Sequence, residues 1–380
     1  MKKRWDIFCK VVDNFGDIGV CWRLARQLHI EHGLQIRLWI DDLVAAQKII
    51  PSLNIENNSQ VRDGITILKW PSIENASVAD FSQAADVVIE AFACELPSAY
   101  LAVMVSQQSK WINLEYLSAE SWVADFHAKP SPQANGLIRY FYFPGFNEAT
   151  GGLIREANIV EQNQLVVNSQ QLQNSLWQSL NTSNFAALKI SLFCYPHALV
   201  GDLLDALVNS NQLVNCLVPA SSILPKIAQY FGKATINIGD NIQQNNLQLQ
   251  VLPFLSQADY DKLLCACDLN FVRGEDSWVR AIWAGKPFIW QPYFQDENAH
   301  VKKLNAFLDL FYANFDAKEM VCEAHRCWSA GQMPKKVCHD YLKNLPAIYS
   351  YTMLQSQELA KQPDLATKLV VFCNKICCDE

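Results

Sequence analysis

Short apolar runs alternate with helix-length segments along most of this chain, and the alternation is run through twice. Residues 5–12, 34–40, 65–70, 85–91 and 110–114 read as strands, with helical stretches at 20–32, 41–50 and 96–105 between them. A second series starts at 189–195 and continues through 215–218, 247–252, 269–273 and the apolar run at 288–293. Strands separated by helices pair in parallel, with the helices covering both faces of the sheet. The expected fold class is therefore α/β, with two doubly wound Rossmann-like domains. The first is expected over residues 1–184 and the second over 185–360, with a Gln-, Asn-, Ser- and Thr-rich segment at 162–184 leading to the boundary. A C-terminal helix in 361–380 is expected to pack back on the first domain. The Pro-, Gly- and aromatic-rich stretch from Pro130 to Glu156 is expected to form loops at that domain's edge.

Within the second series, Leu269 to Tyr293 reads as strand, glycine turn, helix, strand. A strand that enters a helix through a glycine turn makes an anion site, because the first helical N–H groups lack partners and the helix dipole favours negative charge there. Ser277 can donate to a phosphate oxygen, Arg273 can neutralise a diphosphate, and Glu275 is suited to sugar hydroxyls. An ordinary βαβ turn with a capping Asp or Ser explains the same residues about as well. Upstream, Phe254 and Gln257 can stack on and hydrogen-bond a nucleobase, or can equally be a staple and a surface glutamine.

The first series opens with strand, loop and helix, and its loop reads Asp13-Asn14-Phe15-Gly16-Asp17-Ile18-Gly19. Two acids are poor company for a pyrophosphate. They suit sugar hydroxyls, or a nucleophile that must lose a proton. One acid can be a helix cap with Gly16 supplying the turn, but both together with Asn14 exceed what a cap requires.

The net charge of −7 argues against a general nucleic-acid binder. No apolar stretch reaches membrane-spanning length and the first residues lack the apolar core of a signal peptide, so a cytoplasmic location without membrane association is expected. The 13 cysteines form no paired C-x-x-C pattern and read as reduced thiols used as small core residues. Cys322, His325 and Cys327 lack a fourth ligand, and no metal site is expected.

The motifs Asp13–Leu24, Asn113–Ser118, Phe143–Phe146 with Thr150–Leu153, and Arg273–Ser277 with Ala284–Phe288 together resemble the bacterial EarP family, in order and over most of the chain. The resemblance implies a GT-B glycosyltransferase fold, its two domains facing across a cleft. It also implies an inverting protein-arginine rhamnosyltransferase that uses TDP-β-L-rhamnose to modify one arginine of translation elongation factor P. Carried over, Asp17 matches the family's proposed general base and Asp13 its companion, with Asn14, Phe15 and Gly16 in the same substrate-binding loop. Tyr195, Phe254, Gln257 and Tyr260 fall around thymine and phosphate. Glu275, Asp276 and Ser277 form the acid-acid-serine turn, with Glu275 on the ribose, and Arg273 and Tyr293 lie against the diphosphate.

The chemistry fits these residue types. Loss of TDP from C1 of rhamnose passes through an oxocarbenium-like state, and the helix end, Ser277 and Arg273 can stabilise the departing phosphate without a metal or cofactor. A carboxylate cannot deprotonate a guanidinium in the ground state, since a gap of roughly 8–9 pK units costs about 11–12 kcal/mol. Asp17 is expected instead to pair with the guanidinium, orient one nitrogen and take its proton as the C–N bond forms. The alternative is a GT-B enzyme acting on a small-molecule or lipid acceptor. A catalytically silent binding module is disfavoured by Asp13, Asp17 and Glu275 occurring together.

Overall fold

The computed structural model describes residues 3–13, 15–71, 81–182 and 187–378. The chain divides into two compact units, Met1–Ala157 with Lys361–Glu380, and Asn158–Ala360. In the first unit the strands are β1 (Arg4–Cys9), β2 (Gln35–Ile40), β3 (Ser59–Arg62), β4 (Ile65–Lys69), β5 (Val87–Ala91), β6 (Lys110–Leu114), β7 (Lys129–Pro132) and β8 (Ile138–Tyr142). Their order across the sheet is β3-β4-β2-β1-β5-β6-β8-β7, parallel except for the two antiparallel edge strands β3 and β7. The chain winds outward from β1 to β2 and β4, then returns to β5 and winds the other way. The winding thus reverses between β1 and β5, and ligands in open α/β sheets settle at the carboxyl ends flanking such a reversal.

The second unit repeats the plan with β9 (Leu188–Leu192), β10 (Val214–Pro219), β11 (Asn241–Gln244), β12 (Leu247–Leu252), β13 (Leu269–Arg273) and β14 (Phe288–Gln291). Their order is β11-β12-β10-β9-β13-β14, so its reversal lies between β9 and β13. The central strands of both sheets are buried on both faces, as β5 and β13 show by having every residue inside.

Burial on this scale brings polar groups inward, and each needs a partner. Asp6 in β1 accepts from Arg37 Nε at 2.6 Å, from Trp39 Nε1 at 3.2 Å and from the Tyr100 hydroxyl. These groups border a core of Phe8, Trp39, Trp70, Phe81 and Tyr100, where Phe8 and Trp39 stack at 5.4 Å. In the second unit Trp278 and Trp290 stack at 3.7 Å, and Arg280 pairs with Asp261 at 2.8 Å inside the protein. His325 is a core residue: its Nδ1 accepts the Trp290 N–H at 3.2 Å, and burial lowers its pKa to about 3.

Two expectations need correction. The stretch after Pro130 is not all loop, because β7 and β8 extend the first sheet. Pro130 and Pro132 sit in the edge strand β7, where a missing N–H is tolerated. The break between units falls after Ala157 rather than after residue 184. Helices Ile159–Asn168 and Gln170–Ser179 pack in the second unit, where Asn163 Nδ2 donates to Trp283 O at 2.9 Å and Lys189 lies over the Trp177 ring.

Helix Leu365–Cys378 belongs to the first unit, with Leu365 N donating to Leu153 O at 2.8 Å and Phe372 meeting Tyr140 edge-on at 5.4 Å. Gly152 makes that approach possible, since a Cβ there would lie 2.8 Å from Pro363 O. No helix among the described residues is long and apolar enough to cross a membrane.

Candidate active site

At the reversal of the first sheet, the loop after β1 feeds helix Gly16–His32, and Asp17 lies in that helix's first turn. Its side chain reaches back into the loop, where Oδ2 accepts the N–H groups of Val12 and Asp13, each at 2.8 Å. Oδ1 accepts from the Tyr116 hydroxyl at 3.1 Å. Asp17 is only 2% exposed. Burial raises its pKa above the usual carboxylate value, and the two amides and the phenol only partly offset that. A carboxylate so placed is rigidly oriented and more basic than a surface one, both of which suit a general base.

The same contacts make Asp17 a fastener of its own loop rather than a helix cap, because the two amides it accepts precede the helix. Tyr116, which comes after β6, is itself stacked on Phe92 after β5 at 4.3 Å. The buried Asp13 packs over Gly16, where an added Cβ would come within 2.8 Å of its carboxylate oxygen. Gly16 N donates to Asp13 O at 2.7 Å, and the half-buried Phe15 occupies the helix N-cap without a side-chain cap bond. Asn14 lies outside the described residues.

At the reversal of the second sheet, the guanidinium of Arg273, the last residue of β13, lies over Phe193 at 4.3 Å and Tyr195 at 4.7 Å. Its Nη1 donates to Cys194 O at 3.3 Å. Tyr260 is buried edge-on to Phe193 at 5.7 Å, and Tyr293, 41% exposed, meets Tyr195 edge-on at 5.9 Å. Gly274 turns the chain with φ 63°, a conformation glycine adopts freely. Helix Asp276–Ala284 comes next with Glu275 at its N-cap, half-buried and making no side-chain cap bond. Gln257 opens helix Gln257–Ala266 and donates from Nε2 to Asp276 Oδ2 at 3.2 Å, while Phe254 precedes it half-buried.

Ser277 is bonded to its own strand. Its hydroxyl donates to Arg273 O and accepts the Arg273 N–H at 3.0 Å. It closes the turn between strand and helix. A serine four residues after the strand's last carbonyl can make this local bond without any ligand.

Four further residues near the two reversals carry no mark in the sequence, Phe92, Phe193, His197 and Gln291, while Tyr116 lies in the Asn113–Ser118 motif without any sign there that it reaches Asp17. Their signal is positional, since each stands at or past the carboxyl end of a strand that borders a reversal or lies one strand away, and strand order is not legible in one dimension. Among the described residues, one His–carboxylate cluster is close enough to hold a metal: Glu31, His32 and Asp364. Its carboxylates already accept from Gln27, the Ala157 N–H and Thr367. It lies at the far end of helix Gly16–His32 from Asp17.

Residues 5–374 match the family described as Elongation-Factor P (EF-P) rhamnosyltransferase EarP. The chain belongs to the EarP family. A protein-arginine rhamnosyltransferase of Pseudomonas putida is 44% identical over 98% of this chain and 99% of that protein. A solved structure described as the basis for EarP-mediated arginine glycosylation of translation elongation factor EF-P superposes with a TM-score of 0.72. It is 33% identical and covers 98% of this chain and 99% of its own. The glycosyltransferase VinC, solved with dTDP, superposes with a TM-score of 0.55 at 12% identity, covering 98% and 100% of the two chains, a likeness of fold alone. The chain thus has the GT-B glycosyltransferase fold.

Proposed function

We propose that this EarP-family chain transfers L-rhamnose from TDP-β-L-rhamnose to an arginine of translation elongation factor P, with inversion at C1. The observation that carries this reading is kinship over essentially the whole chain with proteins named for that activity. The two sheet reversals suit the division of labour: a buried, oriented carboxylate in the first unit and a guanidinium among aromatic rings in the second.

The second unit holds the donor. Tyr195, Phe254, Gln257 and Tyr260 surround the thymine nucleotide, Glu275 and Asp276 take the ribose side, and Arg273 and Tyr293 face the diphosphate. Because Ser277 bonds to its own strand, its part is to shape the turn that presents the helix N–H groups. Arg273 and the N-terminus of helix Asp276–Ala284 stabilise the leaving phosphate, and the reaction is proposed to need no metal or cofactor. In the first unit, Asp17, with Asp13, Phe15 and Gly16 shaping the loop and Asn14 within it, receives the acceptor guanidinium. As the bond from C1 to the phosphate oxygen breaks, its electron pair leaves with TDP. The arginine nitrogen lone pair forms the new C–N bond, and the nitrogen's proton passes to Asp17. Since its partner is a translation factor, the enzyme is proposed to act in the cytoplasm.

Incubating the chain with TDP-β-L-rhamnose and elongation factor P is expected to add one deoxyhexose to a single arginine, read by mass spectrometry of the digested factor. The same yield is expected with EDTA present. Modification of a small-molecule or lipid acceptor, with none on the factor, would reject the reading.

A further inference from the structure

The proposed donor-side residues leave one neighbouring histidine without a role. His197 stands two residues past Tyr195, with its ring parallel to the Tyr195 ring at 5.6 Å and an interplanar angle of 10°. Its Nε2 lies 3.1 Å from Nε2 of Gln291, the last residue of β14. The other end of Gln291 decides where the protons are. Its Oε1 accepts the Tyr195 N–H at 2.9 Å, so the carboxamide nitrogen is the end turned to His197, and that nitrogen can only donate. His197 Nε2 must then accept, and the neutral ring carries its one proton on Nδ1.

A second proton on Nε2 would set two donors against each other at hydrogen-bond distance. Gln291 is 0% exposed and cannot turn to water, and rotating its amide would oppose its NH₂ group to the Tyr195 N–H. The titratable groups acting on His197 are Lys226, His300 and Arg273, none of them acidic, and the rings packed against it are Tyr195 and Phe294. Partial burial, then those groups, hold its pKa below the ordinary histidine value. Lys226 and Arg273 near a ring fixed as a neutral donor favour an anion as the ligand.

We propose that His197 is a neutral hydrogen-bond donor to the diphosphate of the nucleotide sugar, through an Nδ1–H that Gln291 keeps in place. The proposal rests on the second unit being the donor site and adds a ligand to it. A neutral imidazole strengthens its bond as charge builds on the leaving phosphate, and it has no second proton to give up. His197 is the group that touches the diphosphate, and Gln291 is a positioning residue acting through it.

The test is calorimetric titration of the full chain with TDP and with thymidine at pH 6 and pH 8. His197→Phe keeps a ring on Tyr195 and removes the donor. It is expected to weaken TDP about 10-fold, the scale of a hydrogen bond to a charged group, and to change thymidine affinity less than twofold. His197→Asn, whose amide nitrogen falls near the Nδ1 position, is expected to recover most of the loss. The ratio of wild-type to His197→Phe affinity for TDP is expected to be the same at both pH values. Equal weakening of TDP and thymidine would reduce His197 to a stacking support for Tyr195 and overturn the proposal. A ratio that grows toward pH 6 would make it a cationic ligand and overturn it equally. Wild-type protein that binds thymidine but not TDP, or neither, would sink the donor-site reading itself.

Discussion

At the end of β1 a carboxylate is drawn inward by two amides and a phenol, while at the end of β13 a guanidinium lies across two aromatic rings. The sheets that carry these groups are wound alike, each reversing beside its first strand. The difference lies in the segment that leaves that strand. After β1 comes a loop with acids at 13 and 17 that turns back on itself through Asp17. After β9 comes Phe193-Cys194-Tyr195, flat rings that a cation can cover at little desolvation cost. One architecture therefore serves opposite charges because the reversal supplies the position, and a few loop residues supply the sign.

The largest expected effect tests the acidic end. Asp17→Asn keeps a carbonyl for the Val12 and Asp13 N–H groups but cannot take a proton. Its kcat for arginine modification is expected to fall about 10³-fold, with TDP affinity unchanged within twofold. A near-normal rate would leave Asp17 as a loop fastener only. Next, Arg273→Lys retains charge but not the flat guanidinium that covers Phe193 and Tyr195. TDP binding is expected to weaken roughly 10-fold, with no change in affinity for elongation factor P. Comparable loss of both ligands would erase the contrast between the two reversals.

A smaller effect should come from Tyr116→Phe. The phenol lowers the Asp17 pKa, so its removal raises that pKa further and leaves less ionised base at low pH. The acid limb of the kcat profile is expected to move to higher pH, with only a few-fold loss at pH 8. An unmoved limb would show that a different group titrates.

The smallest effect concerns stability. Because folding raises the Asp17 pKa, the ionised side chain is disfavoured in the native state. The stability it contributes is complete below the ordinary carboxyl pKa and is lost as pH rises through the raised value. Asp17→Asn is therefore expected to melt about 2–4 °C higher than wild type at pH 7.5. That difference should vanish below about pH 4, where the carboxyl is protonated in both folded and unfolded chains. Calorimetric scans at the two pH values would check the sign.

The sequence by itself determined the alternation of strands and helices, the glycine turn at 274, the helical run that closes the chain and the family. Periodicity, glycine spacing and motif order are local, and each is written in consecutive residues. It also picked out Asp17 and Arg273, because an acid pair in a glycine loop and a cation at a strand end are unusual enough to notice. Only the tertiary structure decided what surrounds them. Tyr116 lies 99 positions from Asp17, and Tyr195 lies 78 positions from Arg273. The helices before β9 joined the second unit rather than the first, and Pro130 and Pro132 became part of an edge strand. Ser277 bonded to its own strand, while Gln291 settled which nitrogen of His197 bears the proton. Strand order places these groups side by side, and that order depends on which apolar faces bury one another across the whole fold, which no window of neighbouring residues contains.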